Sequence, residues 1–202
     1  MPGQKAPEAQ RREQLLRATY VVALRDGFDA VTARAVAAEA GTSPGLVFFH
    51  FGSKDALLLE LLSELLDRAL DAEVTPEIAA LPTARARLRA ALQVELDGIP
   101  DQVAPVELVL SAWFSRDADV RRVIDAALAR YRDVFVGLCR DVADEAGASA
   151  ATAEVMATAV VSLVQGAAFQ AVRQPTSFAA DAFGAALDVL LPESQDGRTL
   201  AH

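Results

Sequence analysis

The chain is poor in the residues that cross-linking and catalysis draw on. Cys139 is the one cysteine in 202 residues, which excludes an intramolecular disulfide and a thiolate metal cluster within one chain. Two histidines, His50 and His202, are too few for a histidine-rich metal site and complete no Ser-His-Asp or Cys-His arrangement. Acid pairs such as Asp144 with Glu145, or Asp117 with Asp119, stand at expected helix ends, where solvation and the helix dipole account for them. These absences argue against an enzyme and against a resident metal or cofactor. The opening segment MPGQKAPEAQRREQ lacks the apolar core of a signal peptide, and the cysteine usage fits a reducing cytoplasm. Strand signals are scarce too, with no long alternation of β-branched and polar residues.

What is present is apolar and helix-forming. With 52% hydrophobic and 23% charged residues the chain lies outside the composition of disordered proteins and is long enough for a sizeable core. Val155 to Val172 carries no charge, but Thr158, Ser162, Gln165 and Gln170 interrupt it, so it reads as a buried core helix and no membrane partner is expected. The net charge of -9 conceals an asymmetry. Residues 1–54 hold seven basic side chains against five acidic, whereas the rest hold twelve against twenty-three. A small basic end on an acidic body permits contact with phosphates at that end.

Capping and breaking residues divide the chain into helices. The first runs from Pro7 or Glu8 to Arg25 with an apolar stripe of Leu15, Leu16, Ala18, Thr19, Val22 and Ala23, and Asp26-Gly27 stops it. Thr32 caps a second, short helix closed by Gly41. Ser43 as cap and Pro44 in the first turn open a third over Leu46–Phe51, and Ser53 caps a leucine-rich fourth ending between Leu70 and Glu73. Beyond a linker marked by Thr75-Pro76 and Leu81-Pro82-Thr83, helices are expected near 83–97, 102–115, 118–145, 150–173 and 178–191. The architecture is therefore all-α. A helix-turn-helix unit spans 1–54, a connecting helix about 53–73, a larger helical domain 74–192, and a tail 193–202. Two short helices across a glycine-containing turn are the element that reads DNA in many proteins.

The run GFDAVTARAVAAEAGTSPGLVFFHFGSKDALL resembles the DNA-binding domain of the TetR family of bacterial transcriptional regulators. The resemblance rests on Thr32 and Arg34 opening the second helix, Ala37 and Gly41 around the turn, Ser43-Pro44-Gly45 opening the third, and the junction His50-Phe51-Gly52-Ser53-Lys54. The last three helices are similar to the family's BetI-like branch. The resemblance implies a homodimer whose third helices enter successive major grooves, about 34–36 Å apart, of a palindromic double-stranded operator. It places Thr42, Ser43, Pro44, Gly45 and Leu46 toward base edges, with Phe48, Phe49 and His50 beside the backbone and Lys54 on a phosphate. At least one of Phe48 and Phe49 is expected in the core. Both stand where many relatives have tyrosines, so a phenolic hydroxyl is missing there, and Leu46 favours a thymine methyl. Arg11, Arg12 and Arg17 read as a solvated face, with Arg11 and Arg12 also within range of a minor groove or phosphate.

In the larger domain, Leu110, Trp113, Phe114, Phe135, Leu138, Met156 and Phe169 are candidates to line a cavity for a largely apolar small-molecule effector, with Gln165, Ser111 or Glu107 supplying polarity. Core packing explains most of them equally well. Val160, Leu163, Val164, Ala167, Phe183, Leu187 and Leu190 are the expected dimer interface. The resulting expectation is a repressor released from its operator by that effector. A same-fold activator, or a helical binding or scaffold protein with a degenerate DNA motif, remains open at this point.

Overall fold

The computed structural model describes residues 8–190 apart from 71, 73, 114, 115 and 177, and for 187, 188 and 190 the backbone alone. Phe114, the tail 193–202 and the side chains of Leu187 and Leu190 thus lie outside the described residues. The helices are α1 (Glu8–Asp26), α2 (Ala33–Glu39), α3 (Pro44–Phe51), α4 (Lys54–Ala69), α5 (Pro76–Ala79), α6 (Ala84–Gly98), α7 (Val103–Trp113), α8 (Ala118–Glu145), α9 (Ala150–Arg173) and α10 (Ala180–Leu190). No strand occurs among the described residues.

Two compact units form, one from the described residues within 1–71 and 104–129, the other from those within 72–103 and 130–202. The sequence-based division keeps 104–129 with the C-terminal helices, whereas these residues cluster with the N-terminal ones. The reason is visible in the first unit's core, where Leu108, Val109, Ile124 and Ala127 join α1–α4. All six residues of the α1 stripe are buried there. Thr19 satisfies its hydroxyl by donating to the Leu15 carbonyl at 2.8 Å. Leu57, Leu61, Leu62, Leu65 and Leu66 form the inner face of α4, each contributing about 1.5–3 kcal/mol by leaving water.

In the second unit Leu88, Leu92 and Leu96 of α6, Phe135 and Cys139 of α8, and the small residues Ala153, Ala157, Ala167 and Ala171 of α9 are buried. Two carboxylates organise its polar contacts. The Glu145 oxygens accept from the Ala84 backbone N–H at 2.8 and 2.9 Å, adding to the Thr83 cap on Ala86 at the start of α6. The buried Tyr131 hydroxyl donates to Glu95 at 2.9 Å, and burial, followed by the Glu95 charge, raises the phenol's pKa. Among the described residues α9 is the one helix long and apolar enough to cross a membrane, yet one of its faces is packed into this unit.

Three short elements depart from the expected breaks. Phe28–Ala30 and Ile99–Gln102 are 3-10 turns, and the linker around Thr75-Pro76 makes the four-residue α5, because Thr75 accepts from Ile78 N–H at 3.4 Å and Pro76 suits the first turn.

Candidate nucleic-acid interface

The α2–α3 element is built by its caps and glycines. Thr32 accepts from the Ala35 N–H at 3.1 Å and starts α2. At its end Gly41 takes a φ of +62°, a left-handed conformation that a Cβ disfavours, and the next N–H, from Thr42, reaches the Ala37 carbonyl at 2.8 Å. After α3, Gly52 also takes a positive φ, +76°, its N–H on the Phe48 carbonyl at 2.8 Å, so a glycine closes each of the two short helices. Ser53 then accepts from Ala56 N–H at 3.0 Å and starts α4 with Lys54 as its first residue.

The expected Ser43 cap is corrected. Ser43 holds the N-cap position in an extended conformation, but its hydroxyl makes no capping hydrogen bond, and its carbonyl accepts from Leu46 N–H at 3.0 Å instead. The ring of Pro44 at the first helical position removes one donor that a cap would have had to satisfy.

The helix α3 divides sharply into two sides. Val47 and Phe51 point into the core, while Ser43, Pro44, Gly45, Phe48 and Phe49 are exposed and Thr42, Leu46 and His50 half-buried. The expectation that Phe48 or Phe49 belongs to the core is corrected as well: they are 50% and 75% exposed, because Phe51, four residues after Val47, takes the inner position. The His50 ring meets Phe49 edge-on, 5.1 Å between centroids. Gly45 has no packing reason to be glycine, since an added Cβ would meet nothing closer than the Ser43 hydroxyl at 4.0 Å.

The basic residues of this unit fall into two groups. Arg25 holds Asp26 at 2.9 Å and Glu39 at 3.0 Å, contacts that raise its pKa, the bond to Asp26 most. Arg12, read from sequence as part of a solvated face, is a clasp: it engages Glu60 of α4, donates to the His50 carbonyl and lies 4.4 Å from the Phe51 ring centre. Arg34 at the start of α2 and Lys54 at the start of α4 make no ion pair with any described residue. Their charge stays available at the two helix starts flanking α3.

The effector candidates are divided between the units. Leu110 and Trp113 belong to the first, where Trp113 packs against the core. In the second, Phe135 is fully buried against Tyr131, Met156 and Gln165 are half-buried, and Leu138 lines a cavity of about 470 Å3 with Val134 and Arg87. Phe169 is 54% exposed, on the side of α9 away from its alanine-rich inner face, so it lines no interior. The expected dimer residues need a similar correction. Val160, Val164 and Ala167 are buried in the chain's own core, Leu163 is half-buried, and Phe183 stacks on Phe178 at 5.6 Å.

A short exposed helix that follows a glycine turn and ends at a second glycine, flanked by uncommitted cations and backed by a helical core, is a helix-turn-helix head of the DNA-binding class. Residues 15–61 match the bacterial regulatory proteins of the tetR family. The HTH-type transcriptional regulator BetI of Stenotrophomonas maltophilia (strain R551-3) is 30% identical over 137 residues, covering 67% of this chain and 68% of that protein. A structure from Pseudomonas aeruginosa PAO1, described as a transcriptional regulator, superposes with a TM-score of 0.76 at 27% identity and covers 92% of this chain and 90% of its own. One from Saccharomonospora viridis, described in the same way and in complex with choline, shares the fold with a TM-score of 0.71 at 22% identity, covering 92% and 97%. The chain belongs to the tetR family and is a DNA-binding transcriptional regulator with BetI-like similarity.

Proposed function

We propose that the protein is a cytoplasmic homodimeric repressor that grips a palindromic operator through two copies of α3 and releases it when a small-molecule effector binds. Thr42, Ser43, Pro44, Gly45 and Leu46 face the base edges, Phe48, Phe49 and His50 flank the sugar-phosphate backbone, and Thr32, Arg34 and Lys54 hold phosphates. Gly45 carries this reading. A glycine in a helix costs from a few tenths of a kcal/mol to about 1 kcal/mol relative to alanine, and nothing inside the chain requires it here. Close approach by an outside surface does. Two large aromatic rings exposed beside it, on a unit whose core is otherwise well covered, support the same side.

The effector is a small organic molecule, as the choline bound to the Saccharomonospora viridis protein supports by analogy of fold. Ligand binding must favour the state that does not fit DNA, and a coupling of about 1–3 kcal/mol lowers operator affinity roughly 5- to 150-fold. For the two-fold contact, the exposed side of α9 with Val155, Ala159, Ser162 and Phe169 is favoured over Val160, Val164 and Ala167, which the chain's own core occupies. That side is uncharged and places Val155 at 71% exposure.

The test is a selection of genomic fragments by purified, refolded protein at near-physiological salt, with a Phe49→Ala/Lys54→Ala protein in parallel. Wild-type protein is expected to enrich a palindrome that the variant does not. On that site Lys54→Ala is expected to flatten the slope of log affinity against log salt by about one unit. Absence of any enriched site from ligand-free wild-type protein overturns the proposal.

A further inference from the structure

Beside the 3-10 turn Phe28–Ala30 the first unit holds a cavity of about 530 Å3. That is within the roughly 300–1,000 Å3 of small-molecule sites. Phe28 of the turn, Leu58 of α4, Ala112 of α7 and Val120 of α8 give it an apolar floor. All four are half-buried, so their surfaces are neither lost to the core nor fully wet.

The polar side chains of the lining have one chemical character. They belong to Asp26, Asp29 and Ser111, and no lysine or arginine lines the cavity among the described residues. Ser111 spends its one proton on the Leu108 carbonyl at 2.6 Å, leaving only lone pairs toward the cavity. Asp26 is engaged by Arg25 through Oδ2, at 2.9 and 3.0 Å. Asp29 has no hydrogen bond or ion pair with any described residue. Among the described residues the lining therefore offers acceptors and negative charge but no side-chain donor. It disfavours an anion and suits a ligand that carries donors and positive charge on an apolar body.

We infer that this cavity binds a small amphiphilic organic cation, an alkylammonium whose chain lies on Phe28, Leu58, Ala112 and Val120 and whose head meets the Asp29 carboxylate. The Phe28 ring adds a cation–π surface for the head. The site is on the DNA-reading unit itself, and Ser111, one of the polar effector candidates, lines it. It touches the turn that leads through the fully buried Val31 into the Thr32 cap of α2, and it touches α4, which α3 joins at Gly52-Ser53. An occupant therefore bears on both ends of the α2–α3 element, and only this last step rests on the proposed DNA contacts.

The test uses the full chain with labelled leucine and valine methyl groups, titrated with n-hexylammonium chloride and, as matched probes, hexan-1-ol and sodium hexanoate. Hexylammonium is expected to shift the Leu58, Leu62 and Val120 methyl signals saturably, hexanol more weakly and hexanoate not at all. Asp29→Asn, at an exposed position that the fold does not use, is expected to weaken hexylammonium binding about three- to tenfold. Ala112→Phe is expected to abolish binding by filling the floor, and Ala112→Leu serves if the larger side chain prevents folding. Equal binding of all three probes, unchanged affinity in Asp29→Asn, or shifts that are scattered and unsaturable each overturn the site. These readouts involve no DNA, so failure of the operator reading leaves them standing, and their failure leaves the operator reading untouched.

Discussion

The Arg12 guanidinium of α1 is held by the Glu60 carboxylate of α4, Nε donating to Oε1 at 2.8 Å and a terminal nitrogen to Oε2. Another of its nitrogens donates to the carbonyl of His50, the next-to-last residue of α3, and the group lies over the Phe51 ring. A single side chain thus ties the exposed helix to the two long helices that support it. Both partners are partly exposed, so the ion pair alone is worth little, and the carbonyl and ring contacts make the difference. Arg12→Ala is expected to cost about 1–2 kcal/mol, seen as a lower midpoint in thermal or urea unfolding. It is also expected to lower operator affinity, because α3 loses the contact that holds its last turn. Glu60→Gln, which keeps the hydrogen-bonding shape and removes the charge, should show the same two effects at smaller size. An Arg12→Ala protein with unchanged unfolding would show that the clasp does not hold α3.

Gly45→Ala separates folding from function by sign. An added Cβ has room, with the Ser43 hydroxyl 4.0 Å away, and alanine is the better helix former. The variant should unfold at equal or higher temperature, by up to about 1 kcal/mol of added stability, while its affinity for the selected operator falls at least tenfold. A fall in both would mean that the glycine serves the fold after all.

The sequence made some of this plain and hid the rest for physical reasons. The α1 stripe and the Thr32 and Ser53 caps were legible because they depend on neighbours within a few residues. Arg12 with Glu60 was not, since the pair is separated by 48 residues and only the packing of α1 on α4 brings it together. In α9 the difficulty is different. Apolar residues surround the helix, so periodicity cannot say which side the chain itself covers, and Val160, Val164 and Ala167 were as good candidates for a partner's surface as Val155 and Phe169. Small residues decide it: Ala153, Ala157, Ala167 and Ala171 let α9 approach its own unit closely. Ser43 misled because its place before Pro44 marks the N-cap position correctly without requiring the hydroxyl bond.

The two sides of α9 make opposite predictions for charge. Val155→Arg with Phe169→Arg places cations on exposed positions and should leave a folded monomer, the mass in light scattering falling to 21.4 kDa with helicity retained. Val160→Arg buries a cation where the side chain is 3% exposed and should unfold the unit instead. Dimers that persist in the double variant would move the two-fold contact to another surface.

Cys139 gives a pH signature because it is the one thiol and is fully buried on α8. Burial pushes its pKa from the ordinary 9 up to about 11. The folded chain therefore keeps the proton through a range in which the unfolded chain releases it. The stability this represents is complete below pH 9 and is lost as pH rises toward 11, by an amount on the order of a few kcal/mol. Tyr131, whose phenol is also raised by burial, acts with the same sign at higher pH. Urea midpoints measured from pH 7 to 11 should fall steeply above 9, and Cys139→Ala should remove part of that slope at the cost of some stability at pH 7. In the same range a thiol reagent reports burial directly: at pH 8 the native protein should react only at its rate of opening, with full reaction in urea. Rapid modification of native protein at pH 8 would place the thiol at the surface and remove the basis for the alkaline slope.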